Sequence, residues 1–568
     1  METKFTFING PTVKSVASKD DRSSVRSWFL RRAFQDRRMK AAGKAGTGRG
    51  KEGDKAPSKR SRGQPAILNK PTAKKAESTA ARDESHAEDT PASADSTFDG
   101  EWDGCGFDTQ DASISSSKLL FWGNQRSDPF AQHYIPDMDV HHDELIDHCI
   151  RVLWPGFRRI DCYPAQFYRT WIHQSLQAPY LLNSLLFCAS NHALTLNGSG
   201  LCPREEQLRF RGRALSSLGA VIAQGNCDME ALVMSILFLS LNDGLFFHGP
   251  IISSLSPFTP PLQSLQWLDS YAYREVHPLH WAAVDSLVSQ LGGIQNLKSF
   301  ALPWLLSFAA LLKASKDFSQ PSYPLLTPDG RPFIYDQCMA MIKVEMGLRA
   351  SVATGFNYLS QLGLPPATWQ VFVDLGHLSE AIRAYHCGCG PIVDVDRIAD
   401  CRNLIQHRLL GQPRSRDECL LELNKDTVTG APRIHDGSIY LFLACRSTAL
   451  VYSTHVTFPI PCTEARRLET IADLQKWLQL ASCCCAESDM PALKILLWCT
   501  VVGGMAARDV FQRGWFAAEV ARLALLVGIS GWMECRTILQ TFCWMSQACD
   551  LGGEALWNEA DLSRLALS

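Results

Sequence analysis

The residues best able to do chemistry in this chain are its histidines, cysteines and glycine-rich turns, and their spacing decides what each set can do. The densest cluster is His141-His142-Asp143-Glu144-Leu145-Ile146-Asp147-His148. A zinc-protease helix needs His-Glu-x-x-His, two ligands one turn apart with a general base beside the first. Here no Glu follows a His, and His148 is two turns from His141 or His142. An acyl-transfer His-His-x-x-x-Asp-Gly pattern fails because Ile146 takes the Asp position. The octet reads as the polar first turns of a helix.

Other motifs fail on spacing as well. Gly43–Lys51 has the composition of a phosphate loop, but Walker spacing requires Gly where Ala45 stands and Ser or Thr where Glu52 stands. Gly528-Ile529-Ser530-Gly531 is one residue short of a nucleophile elbow and lies between helices, so Ser530 reads as a helix cap. Glu205-Glu206 opens a helix, where solvation accounts for both carboxylates. The chain has 20 cysteines and no Cys-x-x-Cys pair. Structural zinc usually takes paired ligands with a second pair downstream. His386-Cys387-Gly388-Cys389 is at most a half-site, and most other thiols sit in apolar helical runs, as small buried hydrophobes do. That pattern suits a reducing compartment. No catalytic residue, metal ligand or cofactor is nominated. An enzyme would need a cleft bringing His192, His280 or His386 together with carboxylates.

The elements that would position any site are helical. Helices are expected from His141–Trp154, Phe167–Gln177, Pro179–Leu196, Glu205–Ala223 and Met229–Leu241, and then from Pro278–Leu291, Ala301–Ser315 and Tyr335–Ala353. Leu378–Tyr385, Ala399–Leu410 and Ser438–Thr454 continue the series, and Glu464–Cys484, Met490–Ala507, Gly514–Leu526 and Gly531–Ala548 complete it. In the helix over Glu205–Ala223 the apolar positions Leu208, Leu215, Leu218 and Ile222 mark one face. Met229–Leu241 is apolar all round and reads as buried. Residues 248–273, 316–334 and 424–437 read as loops, with Asp329-Gly330 a turn. The fold class is all-α, a large irregular multi-helix domain. No apolar run reaches the roughly 20 residues of a membrane helix, and the first residues lack an apolar leader.

Length and charge then divide the chain. Of 568 residues, 46% are hydrophobic and 20% charged, a globular composition with a formal net charge of −2. Residues 1–75 hold 20 Lys/Arg against 6 Asp/Glu, and residues 76–115 hold 1 against 11. A +14 arm and a −10 spacer thus precede a mildly acidic body. Three regions are expected. Residues 1–40 form a short apolar segment and an Arg-rich helix, 41–116 a disordered basic-then-acidic linker, and 117–568 the helical body. Arg31, Arg32, Arg37, Arg38, Lys40, Lys59, Arg60 and Arg62 are candidates for nuclear import or phosphate contact.

Four blocks in order resemble the fungal-specific transcription factor domain. They are Gln174–Leu196 with Cys188-Ala189-Ser190-Asn191-His192, and Leu291-Gly292-Gly293-Ile294-Gln295-Asn296-Leu297. Leu497-Trp498 through Gly503-Gly504-Met505-Ala506-Ala507 to Arg513-Gly514-Trp515-Phe516 is the third, and Leu539–Trp544 with Leu556-Trp557 the fourth. The start, Phe5-Thr6-Phe7-Ile8-Asn9 followed by an Arg-rich helix, is similar to fungal proteins labelled tachykinin-family or transcription-factor-like. These blocks read as scaffold: glycine pairs for left-handed geometry or close helix approach, and aromatic rings for packing area. The family's six-cysteine zinc cluster is missing, since residues 1–104 contain no cysteine.

The resemblance implies a transcriptional regulator or co-regulator in a fungal nucleus, with some presence in the cytoplasm, controlling a metabolic gene set such as one for secondary metabolism. Its body would bind other regulators or a small-molecule effector. Any DNA contact would run through the basic arm, mostly to phosphates and weakly specific. No membrane partner and no enzymatic activity are expected. The alternative is a helical interaction scaffold without DNA contact, and the more remote one an enzyme.

Overall fold

The computed structural model describes residues 140–159, 166–197, 201–225, 227–243, 256–345, 347, 352–388, 394–425, 434–461 and 463–567. The basic arm, the acidic spacer and the eight arginines and lysines singled out in them lie outside the described residues.

The body opens with α1 (Val140–His148), which continues through a wide turn, Cys149–Leu153, into α2 (Trp154–Phe157). A second wide turn, Tyr168–Ile172, leads into α3 (His173–Gln177). Then come α4 (Pro179–Asn197), α5 (Arg204–Gln224), α6 (Met229–Asn242), α7 (Leu268–Tyr271), α8 (Pro278–Gln290) and α9 (Leu302–Asp317). The middle holds α10 (Tyr335–Glu345), α11 (Tyr358–Gln361), α12 (Pro366–His386), α13 (Val395–Leu410), α14 (Arg416–Lys425) and α15 (Asp436–Tyr452). The last are α16 (Glu464–Cys484), α17 (Met490–Ala506), α18 (Arg513–Val527), α19 (Trp532–Leu539) and α20 (Ser546–Leu567). Among the described residues the only extended pairing is an isolated bridge, Leu326 to Pro332, so the all-α expectation holds.

The starts follow local rules. Asp228 accepts from the Glu230 and Ala231 amides, Asp394 from Asp396, Thr463 from Arg466 and Asp489 from Ala492, each taking up a free first-turn donor. Gly225 and Gly528 end α5 and α18 in the left-handed region. The Asp329-Gly330 turn is present, with Gly330 at φ +77° and its amide donating to the Thr327 carbonyl.

Four expectations need correction. On α5, Leu215 and Leu218 of the expected face are buried, but Leu208 is 51% exposed and the stripe continues instead through Gln207, Phe210 and Ala214. Gln207 turns inward because its amide donates to the Ser190 carbonyl on α4. The helix expected to run to Ala353 ends at Glu345, and Ala353 itself takes φ +55°. The stretch expected as Gly531–Ala548 breaks after Leu539, so that Phe542 can pack against Phe356 and Trp498. Within the loop expected over 248–273, Leu265–Trp267 and α7 are helical turns.

The glycine pairs divide as the two readings of them require. Gly292 and Gly293 end α8 at φ +81° and +111°. Gly504 lies within α17, where a Cβ would sit 2.5 Å from Leu556 and 3.0 Å from Phe516. Trp498, Phe516, Trp544 and Trp557 are buried in one continuous core that also takes in Leu145 and Ala560. No single described helix is long and apolar enough to cross a membrane; α18 and α19 meet those criteria only as a pair bent by 88°, and Phe516, Val520 and Leu523 of that pair are core residues.

Gln266 and Trp267 both adopt left-handed backbone, φ +57° and +56°, a costly conformation for residues with a Cβ. Side-chain anchors hold it. Gln266 Oε1 accepts from Arg402 (2.8 Å) and Asn403 (2.9 Å), and Trp267 Nε1 donates to the Leu153 carbonyl (2.9 Å). The Trp267 ring lies on Gly156, where a Cβ would fall 2.1 Å from ring carbon. Gly156→Ala should therefore destabilise the body by about 1–3 kcal/mol despite alanine's better helix propensity. The denaturant midpoint measures it.

Candidate functional site

Helix α9 carries Trp304, Phe308, Leu312 and Lys316 at steps of four, which places them on one face. That face closes an aromatic cavity together with Leu153, Trp154 and Phe157 from the first helical stretch, Phe167, Trp171, Phe238 of α6 and Tyr271. The rings brace one another. Trp154 stacks on Phe167 at 5.7 Å, Phe167 meets Trp171 edge-on at 4.8 Å, and Trp304 stacks on Phe308 at 5.9 Å. The free volume is about 40 Å³, more than the roughly 10–15 Å³ one water requires.

One end of this cavity is cationic. Arg274 is buried, donates to the Asn191 carbonyl (3.2 Å), Thr195 Oγ1 (2.7 Å) and Asn242 Oδ1, and lies over the Tyr271 ring. Lys316 donates to the Arg274 carbonyl. Burial draws the Lys316 ammonium down to about 8, against the opposing pull of Glu275 and Asp317. Burial also raises the neighbouring Cys188 thiol and Tyr271 phenol, so neither ionises near neutral pH. At this volume the cavity has room for a few waters at most, so the rings read first as core packing, closed at one end by two buried cations that donate to protein acceptors. Sequence reasoning missed it because α9 is apolar on every side, and only the four-residue stripe ending on Lys316 marks the lining.

The histidines divide three ways. The His141–His148 octet opens a helix as expected, and within it His142 and His148 are buried. His142 packs edge-on to Phe210, and His148 Nε2 lies 2.9 Å from His192 Nδ1. His192 contacts Trp267 and Tyr271, and burial, with His148 and Arg274 adding to it, lowers it to about 3. It forms no carboxylate site. His386 and Cys387 are exposed at the end of α12, and Cys389 lies outside the described residues. His280 does meet a carboxylate: with His277 and Asp243 it forms a group whose ligand-type atoms lie within 4.8 Å of one another.

The nucleophile candidates remain scaffold. Ser530 is not the helix cap expected of it: Gly531 is the N-cap, and the Ser530 amide and hydroxyl both donate to the Glu534 carboxylate in a local turn. Ser256 Oγ is 3.4 Å from His455 Nδ1 but also accepts the Phe258 amide. A second cavity of about 210 Å³, beside Ser379, Glu380 and Gln540, is polar. In it Ser379 donates to the Leu375 carbonyl and accepts from Tyr452, and Glu380 pairs with Arg383. The described cysteines are thiols and not disulfides, and Cys445, Cys499, Cys535 and Cys543 are wholly buried. No family model, no curated protein and no solved structure matches this chain.

Proposed function

We propose that this chain is a nuclear transcriptional regulator or co-regulator whose helical body receives a partner protein or a small-molecule effector and performs no catalysis. The observation that carries the reading is the division of the chain. A +14 segment suited to import or phosphate contact and a −10 spacer precede a body whose described residues are all-α. The resemblance of four ordered sequence blocks to the fungal-specific transcription factor domain supports the same reading.

Deleting residues 1–75 from a fluorescent fusion tests the import role. Nuclear accumulation should be lost, and unchanged accumulation would sink it. A mobility-shift titration of the full chain separates the regulator from the scaffold alternative. Binding should appear at low salt and weaken steeply as salt rises, because phosphate contacts release counterions. Absence of binding at low salt would favour the scaffold.

A further inference from the structure

We propose that Asp243, His277 and His280 form a binding site for one divalent first-row transition-metal ion. Asp243 is the C-cap of α6 and His277 the N-cap of α8, while His280 follows one turn into α8. These helix ends are fixed to each other, since the His277 amide donates to the Ser240 carbonyl at 2.9 Å. The two imidazoles stack with centroids 4.2 Å apart. His280 is only 7% exposed, yet its Nδ1 has no hydrogen-bond partner, a buried polar atom that a metal or its bound water would satisfy. Arg211 grips both Asp243 oxygens, one at 2.7 Å, and holds the carboxylate as outer-shell donors do around metal ligands. A cation at this point also faces the negative end of α6.

The donor set selects the class of ion. Two imidazole nitrogens and one carboxylate suit Zn²⁺, Co²⁺ or Cu²⁺, whereas Mg²⁺ and Ca²⁺ take oxygen ligands. Metal–ligand bonds of about 2.0–2.2 Å require the three donor atoms to close to roughly 3.3 Å of one another. From within 4.8 Å that is a side-chain adjustment. Three protein ligands leave a fourth position for water. The ion would tie the end of α6 to the start of α8 across the intervening chain. Nothing in the sequence pairs Asp243 with His277, because they are distant along the chain.

The test uses the full chain, stripped of metal by a chelator and alkylated at its exposed thiols so that Cys387, Cys483 and Cys484 do not compete. Titration with Co²⁺ should give one ion per chain with weak visible bands and no intense near-ultraviolet thiolate charge transfer. Zn²⁺ should displace it and raise the melting temperature. His277→Asn keeps an N-cap acceptor and removes the imidazole; it and Asp243→Asn should each weaken Co²⁺ binding at least tenfold, while His386→Asn should not. No saturable binding by the wild type, or a thiolate spectrum, overturns the proposal. So does unchanged affinity in both ligand variants with native circular dichroism. If the variants fail to fold, the wild-type stoichiometry and spectrum decide.

Discussion

Lowering the pH from 7 to 5 should remove about 5–6 kcal/mol of folding stability through two buried histidines, His192 and His280, and the half-buried His455. Burial, the largest cause in each case, lowers His192 to about 3 and His280 and His455 to about 4. In the unfolded chain these imidazoles take a proton near the ordinary value of about 6.5. Between that value and their folded values the unfolded state binds more protons, so stability falls as pH falls. Each contributes about 2 kcal/mol by pH 5. His148, His377 and His407 are lowered in the same direction, also by burial first. Asp269 and Asp400 act oppositely: burial raises their carboxyls above the ordinary carboxylate value, so their protonation as pH falls favours the fold and offsets part of this loss. The combined loss is comparable with the whole stability of an ordinary domain. Urea midpoints measured at half-unit steps from pH 7.5 to 4.5 should fall steeply below 6.5. His455→Gln should remove about one proton from the unfolding-linked uptake. A flat profile between pH 6.5 and 5 would contradict the neutral state of these rings.

Helix content was legible where local chemistry alone sets it. Asp489-Met490-Pro491 marks the start of α17, and the Asp489 carboxylate does accept the Ala492 amide. The span Glu464–Cys484 is the helix found, because Thr463 caps its start. Legibility failed where a distant residue decides. The α5 face turned on Gln207 finding the Ser190 carbonyl, which no apolar periodicity reports. The Gln540–Met545 break has no Pro or Gly within it, and only the fit of Phe542 between Phe356 and Trp498 explains it. Both candidate sites belong to this second kind. Lys316 meets Arg274 across 42 positions, and Asp243 meets the α8 histidines only after the chain returns. Buried arginines were invisible for a related reason: sequence reading assigns a lone Arg to solvent, whereas Arg158 and Arg402 are 2% and 1% exposed.

Asp400→Ala should cost about 3–5 kcal/mol, while the double substitution Arg158→Met with Asp400→Leu should cost much less. Arg158 donates to both Asp400 oxygens, at 2.5 and 3.0 Å, joining the end of α2 to α13. Its guanidinium also lies over the Trp304 ring, at 5.1 Å, behind the wall of the aromatic cavity. Burial lifts the Asp400 carboxyl above its usual range even with that guanidinium against it, so desolvation outweighs the attraction at this site. Removing the carboxylate alone takes its bidentate partner from a guanidinium that is 2% exposed. Removing both charges leaves a volume that methionine and leucine can fill. The pair therefore specifies where the first helices dock more than it strengthens the docking. Denaturant midpoints of the four proteins in the cycle give the coupling directly. A double variant as unstable as Asp400→Ala would mean that the guanidinium plane on Trp304, and not the ion pair, holds this junction together.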